Sequence, residues 1–250
     1  MSDAVVQPEA FGSPLSQTQR VVDTFVAPSK AFTDILRSSS WWLPWLIGVV
    51  ITLGLGFTIQ QKIGWDHAYQ NMMRQSPKQM EKIQNLPADA QANAMKMGSN
   101  FTKIIFWATP LVALILALVC AAVLLATVNF GFGGRAKFGQ MFAVWMYGTL
   151  PWAIQGLLGI ITVYFGVDPD SFNLKNFVGT NIGYYMPTDW SQALIALGTA
   201  LDITTIWSLI LLTIGCAIIG NISKGKAAGA VFGWWVLITL VKVGAAAAFS

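Results

Sequence analysis

The sequence predicts an all-α polytopic integral membrane protein, a bundle of about five transmembrane helices. Hydrophobic residues make up 55% of the 250 positions and charged residues only 10%, against about 25% in an ordinary soluble domain. The charges occur in short clusters, and the apolar runs between them are long enough to cross the roughly 30 Å hydrocarbon core of a bilayer. These runs show none of the strict alternation that a transmembrane barrel requires.

Five apolar runs have this length, and each is predicted to be a helix because backbone groups in hydrocarbon must pair internally. The predicted spans are Trp41–Ile59, Ile104–Val128, Gly139–Phe165, Ala200–Ile219 and Ala227–Phe249. Tryptophans at the start of the first span suit an interfacial anchor. The whole run 191–219 is too long for one perpendicular helix. Ser191–Thr199 is therefore predicted to be an interfacial entry to the fourth span.

Residues 1–40 are predicted to form a cytoplasmic N-terminal segment, and residues 41–250 the transmembrane domain. The segment is polar and lacks the basic tip and apolar run of a signal peptide. Within it, Pro28–Arg37 is predicted to be a short amphipathic helix with Phe32 and Ile35 on one face. Two placements remain open: flat on the cytoplasmic surface, or packed under the bundle.

The loop 60–103 is the longest between spans. Ser76, followed by Pro77 and Gln79, predicts a capped helix start, and Pro87 predicts its end before a second helix that runs into the second span. Methionines are frequent in this loop and could form a soft binding surface, although packing onto the rim of the bundle is the favoured interpretation. They are Met72, Met73, Met80, Met95 and Met97.

The charges of the short loops predict the orientation. The loops 130–138 and 221–226 contain only basic charges, whereas 167–190 contains three aspartates and one lysine. Basic short loops stay in the cytoplasm, so the N-terminus is predicted inside and the C-terminus outside. The long first loop would then be translocated despite its lysines. The net charge of +4 is attributed to this flanking pattern, and nucleic-acid binding is not expected.

Two ionisable residues lie inside predicted spans, Asp202 in the fourth and Lys242 in the fifth. At 1.5 Å per residue they come to similar depths, roughly 26 and 23 Å above the inner ends of their spans, and Gln155 comes to about the same level. The sequence therefore predicts a polar layer of Gln155, Asp202 and Lys242 in the outer half. Three interpretations are open: a structural clasp, a path for an ion, proton or small solute, or two charges that reach the interface separately.

Two glycines, Gly229 and Gly233, form a GxxxG pattern in the fifth span. Such a pattern allows close helix approach and serves both dimerisation and packing within one bundle, of which the second is favoured here. Homo-oligomerisation therefore stays open.

A search for catalytic or cofactor chemistry finds little. The single histidine, His67, lies in the first loop with no nucleophile motif nearby, and no metal-ligand spacing is present. Cys120 and Cys216 lie inside apolar runs and are interpreted as small buried hydrophobes. The glycine-rich segment 131–137 lacks the strand and terminal Gly-Lys-Ser/Thr of a phosphate-binding loop. We expect no enzyme activity, no cofactor and no metal.

Several short motifs, in this order and spacing, resemble the Ypt-interacting protein (Yip) family in its bacterial form. In the centre stand the turn Gly133, Gly134, Arg135, Ala136, Lys137 and Phe138, then Tyr147 and Pro151. The later half has Leu201-Asp202-Ile203, Trp207, Gly215 and the basic turn 223–227. Pro28 and Phe32 before a span with tryptophan and proline match the start.

This resemblance implies five transmembrane helices with a cytoplasmic N-terminus and an external or lumenal C-terminus. Eukaryotic members act in vesicle traffic by binding small GTPases of the Rab type, through an Asp-Pro-containing motif that ends in Tyr-Gly-Pro before the first span. This sequence lacks that motif, and its 168–170 Asp-Pro-Asp follows the third span. The resemblance therefore does not extend Rab binding to this chain.

The function expected is that of a non-enzymatic membrane scaffold or adaptor, which binds lipids of the bilayer or other membrane proteins. The alternative is a small-solute or ion transporter or channel that uses the polar layer. A scaffold predicts a packed interior, whereas a transporter predicts a cavity that reaches the layer. The expected location is a bacterial inner membrane.

Overall fold

The computed structural model describes residues 13–166, 168–187 and 189–249, and this part of the chain is helical with no β-strand. Residues 1–12 of the predicted N-terminal segment and Ser250 of the transmembrane domain lie outside it. The α-helices are α1 (Gln17–Val26), α2 (Pro28–Arg37), α3 (Trp42–Lys62), α4 (Trp65–Arg74), α5 (Pro77–Gln84), α6 (Ala88–Ala126), α7 (Phe138–Gly148), α8 (Pro151–Phe165), α9 (Gln192–Ala200), α10 (Ile203–Gly220) and α11 (Lys224–Phe249). Within the described residues, five helical segments are long and apolar enough to cross a membrane, which confirms the predicted fold class.

Helices cover the first two predicted spans. Helix α3 is 21 residues long, and α6 continues for 39 residues from just after Pro87. The short helix α5 begins at Pro77 as predicted, but Ser76 makes no side-chain cap there. Its hydroxyl instead donates to the carbonyl of Met72. A proline at the first helical position suffices to start α5, because its missing N–H would have no partner there.

The third predicted span is broken in the middle. Helix α7 ends at Gly148 and α8 begins at Pro151, so the run crosses as two helices. Pro151 has no N–H to donate to the carbonyl of Tyr147, and the N–H of Leu150 donates to that carbonyl instead at 3.1 Å. The fourth run is also divided as expected, into α9 and α10, and α11 begins three residues before the predicted fifth span.

The two ends of the bundle differ in structure. We call the end with the turns 132–137 and 221–223 the turn end, and the end with the segment 168–191 the loop end. The main core lies towards the turn end, where α6, α7, α10 and α11 pack side chains such as Val128, Met141 and Cys216, all fully buried. Close approach of α7 and α10 depends on Gly215, where an added Cβ would lie 2.5 Å from Val144.

Helices α1 and α2 pack against the bundle near the turn end. Phe32 and Ile35 of α2 are fully buried in the main core, so α2 packs under the bundle, which was the alternative to a helix lying flat on the cytoplasmic surface. Arg20 of α1 is also fully buried. Its guanidinium forms an ion pair with Asp34, donates to the carbonyls of two residues before α3, and lies over the Tyr147 ring at 5.5 Å.

At the loop end, α4 is fastened to the segment that follows α8. The Asn71 amide donates to the carbonyls of Pro169 and Phe172 at 2.7 and 3.1 Å, and His67 contacts Asp170 at 2.7 Å. Phe172 is buried in a second, smaller core with residues of α3, α4 and α8. The predicted loop 60–103 is thus mostly helical, and part of it covers this end of the bundle.

Candidate functional site

Asp202 is the N-cap of α10 and lies at the centre of the candidate site. Its residue surface is 4% exposed. One carboxylate oxygen accepts hydrogen bonds from the backbone N–H of Thr205 at 3.0 Å and from the Thr204 hydroxyl. The carboxylate therefore satisfies orphan donors at the start of the helix, where the helix dipole also favours negative charge.

The second carboxylate oxygen of Asp202 joins α10 to α8 and to the loop. It accepts from the Gln155 amide at 3.1 Å and from the Thr180 hydroxyl. Asn181 forms an isolated antiparallel bridge with Asp202, and the N–H of Ile203 donates to the Thr180 carbonyl at 3.0 Å. Asp202 thus receives four hydrogen bonds from neutral donors, which compensate much of the cost of burying its charge.

Lys242 does not join this cluster. It makes no ion pair with any described residue, and Asp202 makes none either. Of the predicted polar layer of Gln155, Asp202 and Lys242, the structure therefore brings the first two into contact and leaves the third apart. Lys242 instead lines a second, larger cavity, to which Asp202 does not contribute.

A small polar pocket adjoins the cluster, and we call it the Asp202 pocket. Its volume is about 220 Å³. Asp202 and Gln155 line it together with Lys175, Asn176 and Asn181 from the loop. The two asparagine side chains hydrogen-bond each other at 2.8 and 3.1 Å, which orders this wall of the pocket.

A much larger cavity of about 1530 Å³ opens beside it, and we call it the loop-end cavity. Its walls come from α6, α9, α10 and α11, and the segment 170–186 contributes to it at the loop end. It extends towards the turn end as far as Leu124 of α6 and Val231 of α11. Beyond them, Val128 and Cys216 are packed in the main core and do not line it. The turn-end half is therefore packed, as the scaffold hypothesis predicts, whereas the loop-end half has a cavity that reaches Lys242, as the transporter hypothesis predicts.

The glycine-rich turn at 133–137 is held by backbone and amide contacts. Gly133 has a φ of +73°, a conformation that side chains disfavour. At Gly134 an added Cβ would lie 3.0 Å from the Gly220 carbonyl, whose oxygen also accepts from the N–H of Arg135 at 3.2 Å. The side chains of Arg135 and Lys137 are exposed at the turn end. The motif therefore fixes the junction of α7 with α10.

The GxxxG pair of α11 is not used to pack helices within the described chain. A Cβ added at Gly233 would meet no atom within 4 Å, and one added at Gly229 would meet only Phe132 at 3.8 Å. These values do not support the favoured interpretation of packing within one bundle. The contact of α11 with the end of α6 is made by Trp234, whose indole N–H donates to the Thr127 hydroxyl at 2.9 Å.

Sequence reasoning missed the residues that complete the cluster, Thr180, Asn181 and Thr204. Thr204 carried a usable signal, since Asp202 followed closely by a threonine at the start of an apolar run is a helix-cap pattern. Thr180 and Asn181 lie in an irregular segment with no periodic signal. In the described part of the chain, no three His, Cys, Asp or Glu side chains group as metal ligands would.

The comparison with protein families decides the relationship. The Yip1 domain family model matches residues 22–245, nearly the whole chain. The chain belongs to the Yip1 domain family. No curated protein and no solved structure matches it. The Yip1 match begins within α1 and ends within α11, so Asp202 and all the residues given as lining the loop-end cavity except Ala246 lie inside the Yip1 domain.

Proposed function

We propose that this Yip1 domain protein is a non-enzymatic membrane scaffold or adaptor, which binds a membrane component in the loop-end cavity. The observation that carries the proposal is the loop-end cavity, whose lining extends towards the turn end as far as Leu124 and Val231, where the packed core begins. A cavity of this kind can hold a ligand, and the packed core separates it from the turn end.

The Asp202 cluster also supports a scaffold, because it is best interpreted as a structural clasp. A conduction path needs groups that exchange partners with a passing ion or proton. Asp202 already has four hydrogen bonds from the protein, and two of them tie α10 to α8 and to the loop. The other two come from Thr204 and Thr205 at the start of α10. The cluster therefore fastens α10 to its neighbours beside the Asp202 pocket.

A transporter is the second candidate, and two observations favour it. Lys242 lines the loop-end cavity inside an apolar span, and Thr199 and Thr205 line both this cavity and the Asp202 pocket. A second conformation that opened the turn-end core would turn the blind cavity into an alternating-access site.

Sided cysteine labelling separates the two candidates. Both native cysteines are first replaced by alanine, and Ala196, which lines the loop-end cavity, is replaced by cysteine. An impermeant thiol reagent is then applied to sealed vesicles of each orientation. A binding scaffold predicts that A196C is labelled from one face only, and labelling from both faces would establish the transporter. The fully buried native Cys216, retained alone, is the matched negative control.

The membrane setting completes the proposal. We place the protein in a bacterial inner membrane with its N-terminus, the turn end, Arg135 and Lys137 in the cytoplasm, because basic turns stay inside. Its partners are bilayer lipids and other membrane proteins. Rab-type GTPases are not among the partners proposed, since the motif linked to their binding is absent from the sequence.

A further inference from the structure

The loop-end cavity carries an excess of positive charge. Arg74 at the end of α4, Lys175 in the loop and Lys242 in α11 all line it. None of the three forms an ion pair with a described residue. Among the described residues that line the cavity, the single acidic one is Asp170, whose carboxylate contacts His67 at 2.7 Å. The lining therefore has three basic groups without an ion-pair partner against one acidic group, and an anion in this cavity would be attracted to them.

The part of the cavity nearer the turn end is apolar. Leu116, Val123 and Leu124 of α6 face this space, and Val231 and Ile238 of α11 lie across from them. The cavity thus has basic groups at one end and aliphatic walls at the other. This arrangement matches an amphiphile with an anionic head group and apolar tails. Its volume of about 1530 Å³ exceeds the roughly 300–1,000 Å³ of pockets for drug-sized ligands.

The cavity also lies between two helices that barely touch. Helices α6 and α11 form facing walls, and the Trp234 indole N–H donates to the Thr127 hydroxyl just after the end of α6. The two helices are not among the pairs that pack closely. Small side chains, Ala113 on α6 and Ala246 on α11, line the space between them. An acyl chain could therefore enter sideways from the bilayer.

We infer that the loop-end cavity binds one anionic phospholipid, with its phosphate beside Arg74, Lys175 and Lys242 and its acyl chains between α6 and α11. This inference rests on the proposed function, because it names the chemical class that the same cavity binds. An intramembrane lysine needs a counter-charge, and the Asp202 carboxylate is occupied by neutral donors. A lipid phosphate supplies that charge from the surrounding bilayer.

Lipid retention tests the inference directly. The full-length protein is reconstituted in nanodiscs with equal parts of phosphatidylglycerol and phosphatidylcholine, and the retained lipid is identified by native mass spectrometry. The wild type should retain phosphatidylglycerol in preference. The variants K242Q and K175Q should each lower the ratio of the two lipids about fivefold, the effect of removing one cation near an anionic lipid. The control K226Q removes the same charge at the turn end and should leave the ratio unchanged.

A second pair of variants tests the volume without changing charge. A113W fills the space between α6 and α11 and should lower the number of retained lipids, whereas V112W, on the neighbouring exposed face of α6, should not. Equal retention in both variants, or no phosphatidylglycerol preference in the wild type, would overturn the inference. So would displacement of the lipid by excess inorganic phosphate, since a free anion would then be the ligand.

The outcomes distinguish this inference from the proposed function. One-sided labelling of A196C without lipid preference would overturn the lipid assignment and leave the binding scaffold in place. Labelling of A196C from both faces would overturn the scaffold, whichever lipid is retained.

Discussion

At the scale of single residues, Asp202 shows how a charge can be buried in a membrane protein without a cation. The helix rise predicted that Gln155 and Asp202 lie at a similar level, and the Gln155 amide donates to the Asp202 carboxylate at 3.1 Å. The same arithmetic gave Lys242 a similar level but could not give the direction of a side chain around its helix axis, because rise and azimuth are independent. Lys242 lines the loop-end cavity, and Asp202 does not.

A double-mutant cycle in detergent tests this arrangement. We expect D202A and Q155A to be coupled by about 1 kcal/mol in the free energy of unfolding, since each removes a shared hydrogen bond. D202A and K242Q should be additive within about 0.5 kcal/mol, because the two side chains form no ion pair. Coupling in the second pair and additivity in the first would refute the assignment.

The buried ion pair of Arg20 and Asp34 makes stability depend on pH. Burial alone would raise the pKa of the Asp34 carboxyl, but hydrogen bonds and the charges of Arg20 and Arg37 outweigh it and hold the pKa below its usual 3.8. The carboxylate therefore stabilises the folded state at and above that usual value. As the pH falls from about 4 through the lower folded pKa, this contribution is lost.

We therefore expect the contribution of Asp34 to stability to be independent of pH between pH 7 and 5. Below about pH 4 this contribution is lost, and the unfolding midpoint should fall. The variant D34N, measured beside the wild type, should start about 3 kcal/mol less stable, since it leaves Arg20 without its counter-charge in a buried site. It should also show a flatter acid profile. Identical profiles for the two proteins would contradict this role for Asp34.

At the scale of elements, the sequence predicted that a helix exists better than it predicted the surface that the helix packs against. Pro28–Arg37 was predicted with the observed bounds, because a first-turn proline and a periodic apolar face define such a helix locally. Its burial against α10 and α7 was not decided, since an amphipathic face packs equally well on lipid or on protein. The irregular segment with Thr180 and Asn181 gave no local signal, so that part of the site depended on tertiary contacts.

The glycines of the helices offer the sharpest test at this scale. The variant G215A should lose about 1–3 kcal/mol, because its Cβ would lie 2.5 Å from Val144 and 3.1 Å from Phe32 in a packed core. The matched variant G233A adds the same methyl group where no atom lies within 4 Å, and its stability should not fall. Thermal unfolding in detergent compares them, and a loss in G233A would show a contact beyond the single chain.

At the scale of the whole molecule, the two ends of the bundle have different roles. The turn end is packed around glycine contacts and buried side chains such as Met141 and Cys216, and α1 and α2 are fastened to it. The loop end has the cavity, the Asp202 pocket and the unpaired basic groups. The composition of the chain was enough to predict a membrane bundle, but a cavity depends on where helices diverge, which hydropathy does not encode.

Five membrane crossings put the N-terminal and C-terminal ends of the chain on opposite faces of the membrane. The exposed residue Ser13 and the last residue, Ser250, which follows the fifth span, are each replaced by cysteine in a chain without its native cysteines, and an impermeant thiol reagent is applied to sealed vesicles. We predict that S13C and S250C are labelled from opposite faces. Labelling of both from the same face would contradict the five-span bundle and, with it, the assignment of the cavity to one side of the membrane.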